Sequence, residues 1–171
     1  IRKVSSNSTV TLSVSGLKAG TNYSFRIRAY KTVGKNTQYS GYTNYTAMTL
    51  PANMSGFKAK TTAKNYVTLG WSKNASASGY ELQQMKNNKW VTIYKPTKNT
   101  VVSYTVKNLK AGTATKFRIR AKKGSVYSTY TEFTAVTKPT NVSGFKKKTA
   151  TSTAITLQWN KNTSATGYEV Q

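Results

Sequence analysis

A thirteen-residue stretch occurs twice, and it constrains what this chain can fold into more than any other feature. It runs from Leu17 through Lys18, Ala19, Gly20 and Thr21 to Ala29, and returns from Leu109 through Lys110, Ala111, Gly112 and Thr113 to Ala121. In each copy an Ala-Gly turn leads into a segment whose side chains alternate between two faces, as they must along a β-strand. Phe25, Ile27 and Ala29 share one face, as do Phe117, Ile119 and Ala121; Arg26 and Arg28, like Arg118 and Arg120, take the other. The apolar face demands a second sheet to cover it. The arginine face demands water or a partner.

The repetition extends beyond this stretch, and internal repeats decide architecture before any local reading does. Pro51 to Lys58 is echoed by Pro139 to Lys146, Val67 to Trp71 by Ile155 to Trp159, and Ser78 to Gln83 by Thr166 to Gln171, all at a spacing of 88. Upstream, Val10, Leu12, Val14 and Leu17 align with Val102, Tyr104, Val106 and Leu109 at a spacing of 92, whereas Tyr39 to Thr49 aligns with Tyr127 to Thr137 at 88. The change places a four-residue insertion near Val33 to Gln38 in the first copy, which reads as a longer hairpin tip. Three units follow: residues 1–50 as the later part of one module, 51–138 as a complete module, and 139–171 as the beginning of the next. The chain reads as a window on a longer tandem array whose neighbours supply what each partial unit lacks. The alternative is head-to-tail completion, the tail of one copy completing the leading half of another.

Between turn signals the segments are short, rich in Val, Thr, Tyr and Ile, and alternate apolar with polar residues, so they read as strands. In the complete unit the strands are expected near 54–61, 66–72, 78–86, 89–95, 101–107, 114–122 and 126–137. Seven short strands with a turn every 8–12 residues predict an all-β, two-sheet antiparallel sandwich. Its core is expected to hold Phe57, Val67, Leu69, Trp71, Tyr80, Leu82, Val102, Tyr104, Val106, Leu109, Phe117, Ile119 and Ala121.

Composition removes most chemistry. There is no Cys and no His among the 171 residues, and the only acids are Glu81, Glu132 and Glu169. Disulfides, thiolate chemistry and the commonest general base are therefore absent, and calcium loops or paired-carboxylate hydrolysis have no residues to use. No enzymatic activity and no cofactor or metal is expected. The net charge of +24 divides as +7, +14 and +3 over the three units, a diffuse excess rather than a tail. Such a surface stays soluble beside polyanions, or is retained on an anionic wall polymer, polysaccharide or headgroup layer. Nucleic acid fits poorly, because no recognition module is present and the aromatics follow a core pattern. No apolar run approaches the roughly 20 residues of a membrane span.

Pro at the module start, Trp71 in the second strand, Gly79-Tyr80 in the third and Leu109-Lys110-Ala111-Gly112 before an Arg-x-Arg strand together resemble the fibronectin type III module. The likeness covers the whole chain and is nearest to the Lys- and Thr-rich versions found in tandem on secreted and surface proteins of Gram-positive bacteria. It implies an immunoglobulin-like Greek-key β-sandwich without disulfides, used as a spacer, adhesion or accessory unit, often beside carbohydrate-active domains. The resemblance implies that Trp159 and Tyr23 are core positions of the partial units. One departure stands out. Tyr23 fits the family's tyrosine corner, but the matching residue of the complete unit is Thr115, which removes a hydrogen bond worth about 0.5–1.5 kcal/mol.

The candidate contact residues are Arg26, Arg28, Arg118, Arg120, Trp90, Tyr42 and Tyr130. The resemblance sets the third strand beside the Arg strand, so Glu81, on its outward face, is expected to pair with Arg118 or Arg120, leaving the other guanidiniums as a ladder for sulfate, phosphate or uronate. Trp90 follows a polar turn and is expected to be partly exposed. Tyr39, Tyr42 and Tyr45, like Tyr127, Tyr130 and Phe133, recur every third residue, so they cannot all face one way in a regular strand. Exposed rings among them would stack on sugars or cover a module junction. The functional expectation is a non-catalytic spacer segment of a secreted or cell-surface protein, forming an extended fibre with its neighbouring modules. Its alternatives are an adhesion or wall-polymer-binding module and an accessory domain of a larger glycan-active hydrolase.

Overall fold

The computed structural model describes residues 2–171. In the first part, β1 (Asn22–Ile27) leads into a hairpin of β2 (Tyr30–Val33) and β3 (Asn36–Tyr39), and β4 (Thr43–Met48) returns antiparallel to β1. The anticipated four-residue insertion is this longer hairpin: four residue pairs join β2 to β3, where the corresponding hairpin of the middle part has two.

The middle part carries β5 (Lys58–Thr62), β6 (Val67–Gly70), β7 (Gly79–Lys86), β8 (Lys89–Tyr94), β9 (Ser103–Val106), β10 (Ala114–Lys123), β11 (Val126–Tyr127) and β12 (Thr131–Val136). One sheet has the order β5-β6-β9. The other runs β11-β10-β7-β8, with β12 pairing along β10. The two sheets make an antiparallel sandwich, and the chain crosses between them after β6, β8 and β9, which is the Greek-key path that the resemblance implies. The tight β7–β8 turn places Asn87 and Asn88 at φ of 49° and 59°. A two-residue turn with both φ positive matches the twist of the strands it joins, and Asn tolerates that conformation. The last part holds β13 (Lys146–Ala150) and β14 (Ile155–Gln158), a single antiparallel pair.

The core lies between the two middle sheets. Met54, Phe57, Val67, Leu69, Trp71, Ala77, Tyr80, Leu82, Val106, Phe117, Ile119, Ala121 and Ala135 are buried together, so Trp71 and Phe117 sit in one cluster. Phe57, Trp71 and Tyr80 meet edge to face, with ring centroids 6.5 and 5.6 Å apart, a geometry that suits the aromatic quadrupole. The Tyr80 hydroxyl donates to the Asn99 carbonyl at 2.9 Å and accepts from the Asn74 amide at 2.9 Å, so burying it leaves nothing unpaired.

Several expectations need correction. Residues 54–57 are not strand, because Gly56 turns the chain at φ +65° and β5 begins at Lys58. The strand expected over 126–137 is two strands, broken at 128–130. Residues 10–14 form no strand: Val10, Leu12 and Val14 are exposed and have no paired neighbour. Val102, Tyr104 and Leu109 lie at the edge of the core and are half-buried, as are Tyr23 and Trp159. In the outer parts no facing sheet among the described residues covers the apolar side, and a shallow hollow of about 300 Å3 opens over Leu12, Val14, Leu17, Tyr23 and Phe25. Met54, Ala77 and Ala135 are core residues that alternation did not single out, since they lie in a turn-flanking segment, a loop and a mostly polar strand.

Candidate functional site: the arginine–aromatic face

β10 positions the site. Because Phe117, Ile119 and Ala121 are drawn into the core, Arg118 and Arg120 are forced onto the outer surface of the same sheet. The register sets Arg118 opposite Gln83 and Arg120 opposite Glu81 on β7. Arg120 Nε donates to Glu81 Oε2 at 2.6 Å, and Arg118 Nε donates to Gln83 Oε1 at 2.8 Å. Of the two partners anticipated for Glu81, it is Arg120.

Glu81 lies on the outer face of β7, yet it is only 4% exposed. It is covered by its own partners. Tyr130 donates its hydroxyl to Oε2 at 3.0 Å, Lys95 Nζ lies 3.3 Å from Oε1, and Thr92 donates to Oε1 at 3.3 Å. Burial alone pushes the carboxyl up, but the hydrogen bonds from Arg120, Tyr130 and Lys95 outweigh it and hold Glu81 below its ordinary value. Burial, and then the bond to Glu81, push the Tyr130 hydroxyl up.

Rings and guanidiniums alternate above this bond network. Arg118 Cζ lies 4.4 Å from the Trp90 ring and 3.8 Å from the Tyr130 ring, while Arg120 Cζ lies 4.5 Å from Tyr130 and 3.9 Å from Tyr127. The sequence Trp90, Arg118, Tyr130, Arg120, Tyr127 is a continuous cation–π ladder. A break in the last strand makes it possible. The Ser128 hydroxyl accepts from the Ala121 amide at 2.9 Å and donates to the Thr129 carbonyl at 2.9 Å, shifting the phase of the chain by one residue. Tyr127 and Tyr130 thereby reach the same face despite their three-residue spacing, and Phe133 turns inward against Phe57 at 5.9 Å.

The first part repeats the device with fewer rungs. Arg28 lies 3.8 Å from Tyr39 and 4.7 Å from Tyr42, and Arg26 lies 4.2 Å from Tyr42. Ser40 bonds to Ala29 and Gly41 as Ser128 does to Ala121 and Thr129. All seven candidate contact residues are thus brought into two ladders, with a guanidinium of the chain itself over each of their rings. Gln83, Thr92 and Lys95 were missed. Alternation in β7 put Gln83 on the face of Glu81, a legible signal; Lys95 lies just past β8 and carries none.

Among the described residues there is no group of three His, Cys, Asp or Glu side chains able to hold a metal ion, and no helix long and apolar enough to cross a membrane. No family model matches the chain. It is 26% identical over 182 residues to Exoglucanase B of Cellulomonas fimi, a match covering 96% of this chain and 16% of that protein. Among solved structures it is similar to one described as FN3tt, at 25% identity and a TM-score of 0.47, over 53% of this chain and 98% of that one. It is similar also to the fibronectin type III domain of human fibronectin type III domain containing protein 3, at 21% identity and a TM-score of 0.45, over 53% and 88% of the two chains.

Proposed function

We propose that this chain is a non-catalytic spacer segment of a secreted or cell-surface bacterial protein, in which sandwich modules act in series to hold other domains apart. The observation that carries the reading is the closed ladder. The most conspicuous functional face of the molecule spends its rings on its own arginines and its arginines on its own Glu81 and Gln83, so it is built as a self-sufficient outer surface. A sugar stacking on the face of Trp90 or Tyr130 that Arg118 covers would first have to displace that guanidinium.

A second reading has its own support. The relationship to part of Exoglucanase B favours an accessory module beside a glycan-active domain, and the net charge of +24 favours contact with an anionic wall polymer. Retention on insoluble cellulose and on a teichoic-type polymer, measured over rising salt, separates these readings. The spacer reading predicts no retention on cellulose, and retention on the anionic polymer that is gone by about 0.15 M salt, as diffuse attraction requires. Saturable binding that survives high salt and is lost in Trp90→Ala would overturn it.

A further inference from the structure

The two module boundaries are built alike, bond for bond. At the first, the Gly20 amide donates to the Leu50 carbonyl at 2.9 Å; at the second, the Gly112 amide donates to the Lys138 carbonyl at 3.1 Å. Beyond the proline, the Ser76 hydroxyl accepts from the Ala52 amide at 2.8 Å and the Asn74 side-chain amide donates to the Ala52 carbonyl at 2.7 Å. The corresponding bonds of Ser164 and Asn162 to Thr140 measure 2.9 and 2.7 Å. The loop that makes them is itself pinned, since Asn74 Oδ1 accepts from the amide and hydroxyl of Ser76, and Asn162 Oδ1 does the same for Ser164.

The upstream module therefore holds the residue before the proline, and the downstream module holds the residue after it. Between them lies one residue, Pro51 or Pro139, whose φ is locked by its ring. The modules also touch directly. Gly20 and Gly112 sit at φ of +60° and +63°, and a Cβ built on either would overlap the carbonyl oxygen of Ser76 or Ser164 across the boundary. Glycine is required there twice over, for its backbone conformation and for the close approach.

We infer that the Ala-Gly turn at one end of each module and the Asn-x-Ser loop at the other are two halves of a docking surface that fits another module of the same kind. Successive modules are then locked at one fixed angle, and the array is a stiff screw rather than beads on a flexible linker. The inference deepens the spacer reading and rests on it for its meaning. The two fail separately, because a flexible joint leaves a spacer, and glycan retention leaves the joint untouched.

The test is the distance distribution between spin labels in the full chain, introduced by Lys86→Cys and Lys147→Cys on either side of the second boundary; both sites are exposed and the chain has no other cysteine. The expected result is a single narrow peak. Gly112→Ala should abolish it, whereas Gly34→Ala, which has the same positive φ but open space around it, should leave it unchanged. Asn162→Ala, which frees the loop without touching the middle module, should also abolish the peak while the middle module's Tm stays constant. A broad distribution in the parent chain, or a narrow peak that survives Gly112→Ala or Asn162→Ala, would overturn the inference.

Discussion

Residues 25–29 and 117–121 are the same five amino acids, Phe-Arg-Ile-Arg-Ala, and Phe25 to Ile27 pairs antiparallel with β4 as Phe117 to Ile119 does with β12, yet they meet opposite environments. Phe117 and Ile119 are 0% exposed, whereas Phe25 is 37% and Ile27 is 73% exposed. The difference lies in what surrounds each strand pair. β10 has β7 on its other edge and β5-β6-β9 packed over its apolar face, and β1 has β4 alone. Strand formation is thus a local and pairwise matter, while burial belongs to the second layer. The arginine side is less dependent on context, since both copies stack their guanidiniums on tyrosines, because the serine-pinned break that brings those tyrosines round is local to each hairpin.

The largest break in this comparison should come from truncating the shared phenylalanine. Phe117→Ala is expected to cost about 3–5 kcal/mol in denaturant unfolding followed by tryptophan fluorescence, the usual range for emptying a packed aromatic site. Phe25→Ala should cost within about 0.5 kcal/mol, as exposed positions do. Equal losses would mean that β1 is covered as β10 is.

Next in size is Glu81→Gln. It leaves Arg120 and Lys95 without their anion beneath Tyr130, and the expected loss is about 1–3 kcal/mol, less than for a fully buried pair because both cations retain solvent contact. The first part has no carboxylate at all and offers no equivalent position. The pH dependence has a definite sign. A carboxyl held below its ordinary value in the folded state stabilises above the unfolded pKa of about 4.3, and that stability is lost as pH falls through the folded value. Unfolding free energy should therefore decline in the parent below about pH 4, and the gap to Glu81→Gln should close there. A gap that persists under acid would remove the ion network from the account.

The smallest effect sharpens the one place where the outer part is better made than the middle. Tyr23 accepts the Lys18 amide at 2.8 Å, and the middle module has Thr115 in its place. Thr115→Tyr should offer Lys110 the same acceptor and raise Tm in step with a gain of about 0.5–1.5 kcal/mol. Tyr23→Phe should leave the middle module's melting unchanged.

Much of this molecule was legible in its residues. The alternation in Leu109 to Ala121 and the repeats at 88 and 92 are statements about period, which sequence carries directly. The pairing of Glu81 with an arginine of β10 was legible only through the likeness to the fibronectin type III fold, which sets the two strands side by side. Other features needed the fold. Which arginine Glu81 takes, and how far it is buried, depends on the stagger of β7 against β10 and on Lys95 and Tyr130 arriving from other strands. The two-strand break at Ser128 depends on one side chain capturing a backbone amide, a choice that residue type permits without compelling. The closing of the ladder and the hydrogen bonds that hold Ala52 and Thr140 just past the two prolines are likewise tertiary facts, because each joins groups far apart in the chain. Periodicity decided which face each side chain takes; only the approach of a second layer, or of the next module, decided what that face would meet.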